Sequence, residues 1–146
     1  MKNFIEFIEF AESTNWINPD IEEEQEEIDR TAEDLNINQQ LLQKCIHNAK
    51  LVDLTDIVWS KMSNTDSWNA VEPGNLIAAE KLSQKYDRDL ERIIKTMRDG
   101  GTLPAPIVLL YGKTPYLIAG NTRLMAARAM KIRPLVLLAY IKEQSN

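Results

Sequence analysis

The chain has 146 residues, 44% of them hydrophobic, and a net charge of -5. That length suits one domain, or one domain with an extension, and the apolar share is enough for a real core. The acidic balance excludes a surface that binds nucleic acid by overall charge alone, and leaves room only for a local basic patch.

Cys45 is the single cysteine, so no internal disulfide can form, which fits a reducing compartment. It sits on an apolar helical face in LLQKCIH and reads as a structural thiol. One cysteine and the single histidine, His47, fall short of the usual four zinc ligands. No apolar run approaches the roughly 20 residues of a membrane span. The start, MKNFIEFIEFAES, is amphipathic and acidic, unlike a signal peptide. A cytoplasmic protein without a membrane partner is expected.

The first half reads as helices. Phe4, Ile5, Ile8 and Ala11 recur at helical spacing. Asn18-Pro19 suits the start of a second helix, a capping side chain followed by proline. Ile21, Ile28, Ala32 and Leu35 would form its narrow apolar face, and EEEQEE its solvated side. That acidic face also offers a docking surface for a basic protein partner. Asn38 is expected to cap a third helix, with Leu41, Leu42, Cys45, Ile46 and Ala49 inward.

From residue 51 the character changes. LVDLTDIVW reads as a short strand and a turn, SKMSNTDSWN as a polar loop, and residues 75–85 as a helix. Asp87 would cap another helix that buries Leu90, Ile93, Ile94 and Met97 and stops at Gly100-Gly101. Strands are expected at Ile107–Tyr111 and Tyr116–Ala119, around the turn Gly112-Lys113-Thr114. A helix from Asn121 to Met130 and a last strand, Leu135–Ile141, follow. The reading is therefore a helical, acidic extension over residues 1–50 and an α/β domain over residues 51–146.

The turn Gly120-Asn121-Thr122-Arg123 joins a strand to a helix. A helix N-terminus offers unpaired N–H groups and partial positive charge. Glycine there lets a ligand approach the backbone, and an arginine in the first turn adds a guanidinium. The set suits a phosphate, and it equally suits an ordinary structural cap.

The stretch YLIAGNTRLMAARAMKIRPLVLL resembles the signature of the ParB/sulfiredoxin superfamily: a strand, a Gly-x-x-Arg turn, a helix, a short link and a strand. The resemblance extends over residues 51–142, through the LVDLTDI strand and the segment Thr102-Leu103-Pro104-Ala105-Pro106-Ile107-Val108. It implies an α+β fold, a small mixed sheet packed with helices. Members of the superfamily bind nucleotides at this turn, and some transfer the phosphate. Carried over, Gly120, Asn121, Thr122 and Arg123 would hold the phosphate chain of ATP or another nucleoside triphosphate with Mg²⁺. Thr102, Leu103 and Pro104 would line the opposite wall.

Departures narrow this. Asn121 stands where sulfiredoxin carries its cysteine, which excludes that chemistry. Ala119 replaces the aspartate of the related free-serine kinase, and its histidines are missing. The chain ends soon after the last strand, without the downstream modules of a partition protein. No carboxylate or histidine cluster beside the signature suggests a nuclease. Short members of this kind are similar to bacteriophage-encoded proteins.

Three functions stay open. One is an ATP-dependent phosphotransferase acting on a hydroxyl of a modified DNA base, a nucleoside or a small metabolite. Its base would be Asp53, Asp56 or Asp66, with Asp56 preferred, although solvated or capping roles are the commoner fate of such aspartates. Another is a nucleotide-gated adaptor without chemistry. The third is a DNA-binding protein that uses Arg92, Lys95, Arg98, Lys113, Arg123, Arg128, Lys131 and Arg133. In that reading Trp59 and Trp68 would stack on bases; as core tryptophans they need no ligand.

Overall fold

The structure is a computed structural model that describes residues 14–61, 81, 84 and 90–142. The expected first helix, the polar loop, Asp66, Trp68, the 75–85 helix and the Asp87 cap fall outside the described residues, apart from positions 60, 61, 81 and 84. Among the described residues are six strands and five helices. In chain order they are β1 (Asn15–Ile17), α1 (Gln25–Asp34), α2 (Gln39–His47), β2 (Lys50–Asp53), α3 (Asp56–Lys61), α4 (Leu90–Arg98), β3 (Thr102–Pro104), β4 (Ile107–Tyr111), β5 (Thr114–Ala119), α5 (Asn121–Ala129) and β6 (Leu135–Ile141). The protein is a mixed α+β structure, and none of these helices is long and apolar enough to cross a membrane.

Four strands form the main sheet in the order β2-β6-β4-β5. The pairs β2–β6 and β4–β5 are antiparallel, and β4–β6 is parallel. Central position explains the sequence of β4: Ile107, Val108 and Leu109 are all fully buried, because both faces of the sheet are covered. Ile107 and Leu109 point one way with Ile118, Leu137 and Ala139, onto Ile28 and Ala32 of α1 and Leu42 and Ile46 of α2. Val108, Leu117 and Val136 point the other way, toward Leu54 and Leu124. Cys45 packs against the first layer but is only half-buried, less than its expected inward position on the helix implies.

The second helix starts later than Asn18-Pro19. Residues 15–17 are extended and pair in parallel with Thr102–Pro104, forming a separate two-stranded sheet. Trp16 is buried there with Leu103, Met97 and Met125. The helix begins at Gln25, after a turn over Ile21–Glu24. Three residues give no usable period, and the tertiary pairing with β3 overrides the local helix-start pattern. Its predicted apolar face survives, with Ile28 and Ala32 buried and Ile21 and Leu35 packed beside them. In α2 the Asn38 side chain accepts a hydrogen bond from the Leu41 amide at 3.0 Å, the expected cap. Leu41 itself is 39% exposed, so it does not face inward as expected.

Three helices end in the same way. The residue after the cap is left-handed at Asn36, Gly100 and Lys131. The next amide bonds back to the carbonyl five residues earlier: Ile37 to Ala32, Gly101 to Thr96 and Ile132 to Ala127. Gly100-Gly101 thus stops α4 as the sequence implies.

Candidate functional site

The register of β4 and β5 pairs Ile107 with Ala119. This brings Pro106 beside Gly120, the single residue between β5 and α5 and the N-cap of that helix. Gly120 has φ +99° and ψ +29°, a left-handed conformation. A Cβ there would lie 2.9 Å from Pro106 Cα and 3.0 Å from Arg123 Nη2. Glycine is therefore required twice, by its backbone angle and by the closeness of its neighbours. As N-cap it offers no side chain to the first amides of α5.

Arg123, one turn into α5, folds back over this glycine. Its guanidinium reaches the Glu24 carboxylate, Nη2 to Oε1 at 3.4 Å, with the two side chains 13% and 22% exposed. Burial pulls the Arg123 guanidinium below its ordinary value, while the charge and hydrogen bond of Glu24 pull it back up. An arginine so placed remains a cation at neutral pH. Asn121 and Thr122 complete the turn and are half-buried.

Thr102, Leu103 and Pro104, the expected opposite wall, form β3. Leu103 is buried in the core with Trp16. Thr102 is exposed and its hydroxyl accepts from Asn15 Nδ2 at 3.2 Å. The residue that closes on the turn is Pro106, just beyond that segment.

Asp56 lies at the start of α3 and accepts from Arg133 Nη2 at 2.6 Å. Arg133 also donates to the Leu54 carbonyl at 3.1 Å. It belongs to the link that follows α5, whereas Gly120 opens the same helix. Nine residues of helix span about 13 Å. Asp53, the other described candidate, is exposed at the end of β2. Trp59 packs against the sheet and carries the guanidinium carbons of Arg128 and Arg133 at 5.3 and 5.8 Å from its ring centre. Burial also lowers Arg128. Arg123 and Arg128, five residues apart on α5, thus serve different neighbourhoods. Arg92, Lys95, Arg98, Lys113 and Lys131 are exposed.

Sequence reasoning missed Glu24 and Pro106. Pro106 follows from strand register once the Ile107–Ala119 pairing is known. Glu24 was one acid among several in EEEQEE, and nothing local distinguishes it. No group of three or more His, Cys, Asp or Glu side chains converges among the described residues. Comparison with protein-family models, curated proteins and solved structures gives no match to this chain.

Proposed function

We propose that the chain is a nucleotide-binding protein of the ParB/sulfiredoxin kind, and that the Gly120–Arg123 turn holds the phosphate chain of a nucleoside triphosphate. One observation carries the reading. A left-handed glycine at a strand-to-helix junction is covered by a largely buried arginine, and a carboxylate already lies against that arginine. Backbone amides at the start of α5 and the Arg123 guanidinium together neutralise phosphate charge. Mg²⁺ enters as the counter-ion of the triphosphate, held chiefly by phosphate oxygens and water.

The activity proposed is phosphoryl transfer from ATP to a hydroxyl. Positioning and charge neutralisation are the main demands of that chemistry, and the turn is suited to both. The sequence points to Asp56 as the proton acceptor, whereas its carboxylate is bonded to Arg133, beyond the far end of α5 from Gly120, so that role requires this bond to open and the aspartate to approach the turn. Loss of turnover in Asp56→Asn with nucleotide affinity retained is the result expected of that role; unchanged turnover removes it.

A second reading, a DNA-binding or nucleotide-gated adaptor without chemistry, is favoured by two features. Asp56 is engaged by Arg133, and Trp59 lies beneath Arg128 and Arg133, with Lys131 exposed between them in the chain. Binding of single-stranded DNA that weakens steeply with salt, with no phosphate transferred, would favour it.

Calorimetric titration of wild type and Arg123→Ala with ATP, ADP, CTP and GTP in Mg²⁺ tests the main proposal. Saturable binding that disappears in the folded variant is expected. A folded wild type that binds none of the four overturns it.

A further inference from the structure

Strand register gathers one corner of the main sheet from distant parts of the chain. Leu110 lies beside Tyr140, and Lys50 lies opposite Leu138. Residues so paired share a face of the sheet, and Leu138 and Tyr140 on β6 share it too. The Gly112 amide donates to the Ile141 carbonyl at 2.8 Å, which holds the Lys113 turn against the end of β6, next to Lys142. The corner lies at the opposite end of β4 from the Gly120 turn, since Ile107 pairs with Ala119 and Leu110 with Tyr140.

Two features set this corner apart. Tyr140 is 57% exposed, although it stands on a sheet face beside the half-buried Leu110 and Leu138. Lys50, Lys113 and Lys142 are exposed as well. Among the described residues, neither these ammonium groups nor the Tyr140 hydroxyl has a hydrogen-bond or ion-pair partner. No acid offsets the lysines. Strands β4, β5 and β6 contain no aspartate or glutamate, and Asp53 stands at the other end of β2. The acidic helix α1 packs on the opposite face, over Ile107 and Leu109. A chain of net charge -5 thus keeps a cationic, acid-free corner around one exposed aromatic ring.

We infer that this corner binds single-stranded nucleic acid, with one base stacked on Tyr140 and the flanking phosphates met by Lys50, Lys113 and Lys142. Each part of that ligand answers one part of the surface. A base offers a flat face to the ring and its two leucine neighbours, and such stacking tolerates any sequence. Phosphates supply the negative charge that the lysines lack within the chain. A duplex fits less well, because its bases are already stacked on one another and only its backbone is left for the lysines. The inference is independent of the phosphate reading of the Gly120–Arg123 turn, and it places the strand away from Trp59.

Fluorescence anisotropy of the full chain with labelled oligothymidylate and oligouridylate, each about a dozen nucleotides long, tests this across a salt series. Saturable binding at about 50 mM salt is expected, and the tighter of the two strands names DNA or RNA. A duplex of equal length should bind at least about fivefold more weakly. Tyr140→Ala should weaken the single strand about tenfold or more, whereas Tyr140→Phe should stay within about twofold of wild type. Lys50→Gln, Lys113→Gln and Lys142→Gln should each flatten the slope of log affinity against log salt by about 0.7, the share of one phosphate on a single strand. Circular dichroism checks that each variant is folded. Absence of binding by folded wild type overturns the inference. So do equal affinities of wild type and Tyr140→Ala, a duplex bound as tightly as the single strand, or an unchanged salt slope in all the lysine variants. Loss of binding confined to folded Arg133→Ala overturns it too, and leaves the strand at Trp59.

Discussion

Arg123 and Glu24, 99 residues apart in the chain, meet at 3.4 Å with both side chains mostly withdrawn from water. The pair ties the start of α1 to the start of α5 and so fixes the acidic segment over the turn. Replacing either partner alone leaves the other partly buried without its counter-charge. Arg123→Met should lower unfolding stability by about 1–2 kcal/mol. Glu24→Gln should cost less, because an amide can still accept from the guanidinium. The double variant should fall short of the sum by roughly 1 kcal/mol, measured by urea denaturation as a double-mutant cycle. Strict additivity would mean that the contact does not couple the two elements.

Gly120→Ala meets two obstacles at once. The left-handed φ of +99° disfavours a side chain, and the new Cβ would lie 2.9 Å from Pro106 Cα, which belongs to backbone and cannot swing away. A loss of about 2–3 kcal/mol is expected. Thermal and urea unfolding would measure it. A loss below about 0.5 kcal/mol would show that the turn relaxes and that its glycine is not required.

Lys131 takes the left-handed position that ends α5, at φ +56°, with its side chain exposed. Glycine accepts that conformation without the Cβ penalty. Lys131→Gly should therefore stabilise the fold by about 0.5–1 kcal/mol. It should also leave nucleotide affinity unchanged, since the position lies at the opposite end of the helix from Gly120. A drop in melting temperature would contradict this account.

Trp16 is 8% exposed and packs with Leu103, Met97 and Met125. Trp16→Ala should cost about 3–5 kcal/mol. A loss of that size in denaturant unfolding, with one cooperative transition, would establish β1 as an integral part of the core. A cost under about 1 kcal/mol would mean that residues 14–20 are dispensable.

The Asp56 carboxylate is 89% exposed although it bonds Arg133 at 2.6 Å. An exposed pair contributes little, so Asp56→Asn should change stability by less than about 1 kcal/mol. Nucleotide affinity should not change. Arg133→Ala should cost more, because the bond to the Leu54 carbonyl and the contact with Trp59 go with it. Equal costs for the two variants would show that the carboxylate carries the interaction.

Much of this architecture is legible locally. The apolar run of β4, the Gly112 turn, the Asn38 cap and the Gly100-Gly101 stop each rest on residues within a few positions of one another. Chain-local chemistry dictates them, and the fold keeps them. The position of the Gly120–Arg123 turn between a strand and a helix is of the same kind. Other features depend on contacts across the chain. Asn18-Pro19 carries a helix-start pattern, yet the backbone before it is extended, because a three-residue strand gains its hydrogen bonds only from β3, some 87 positions later. Pro106 closes on Gly120 only through the register of a hairpin. Glu24 reaches Arg123 only because α1 packs against β5, the strand that leads into that turn. The sequence by itself determined the Gly120–Arg123 turn proposed to hold phosphate, since a glycine before a helix start and an arginine in its first turn are local properties. Tertiary structure alone decided which carboxylate stands before that turn and which aspartate is drawn to Arg133. Coulombic partners are chosen by proximity in space, and no periodicity or spacing along the chain encodes that.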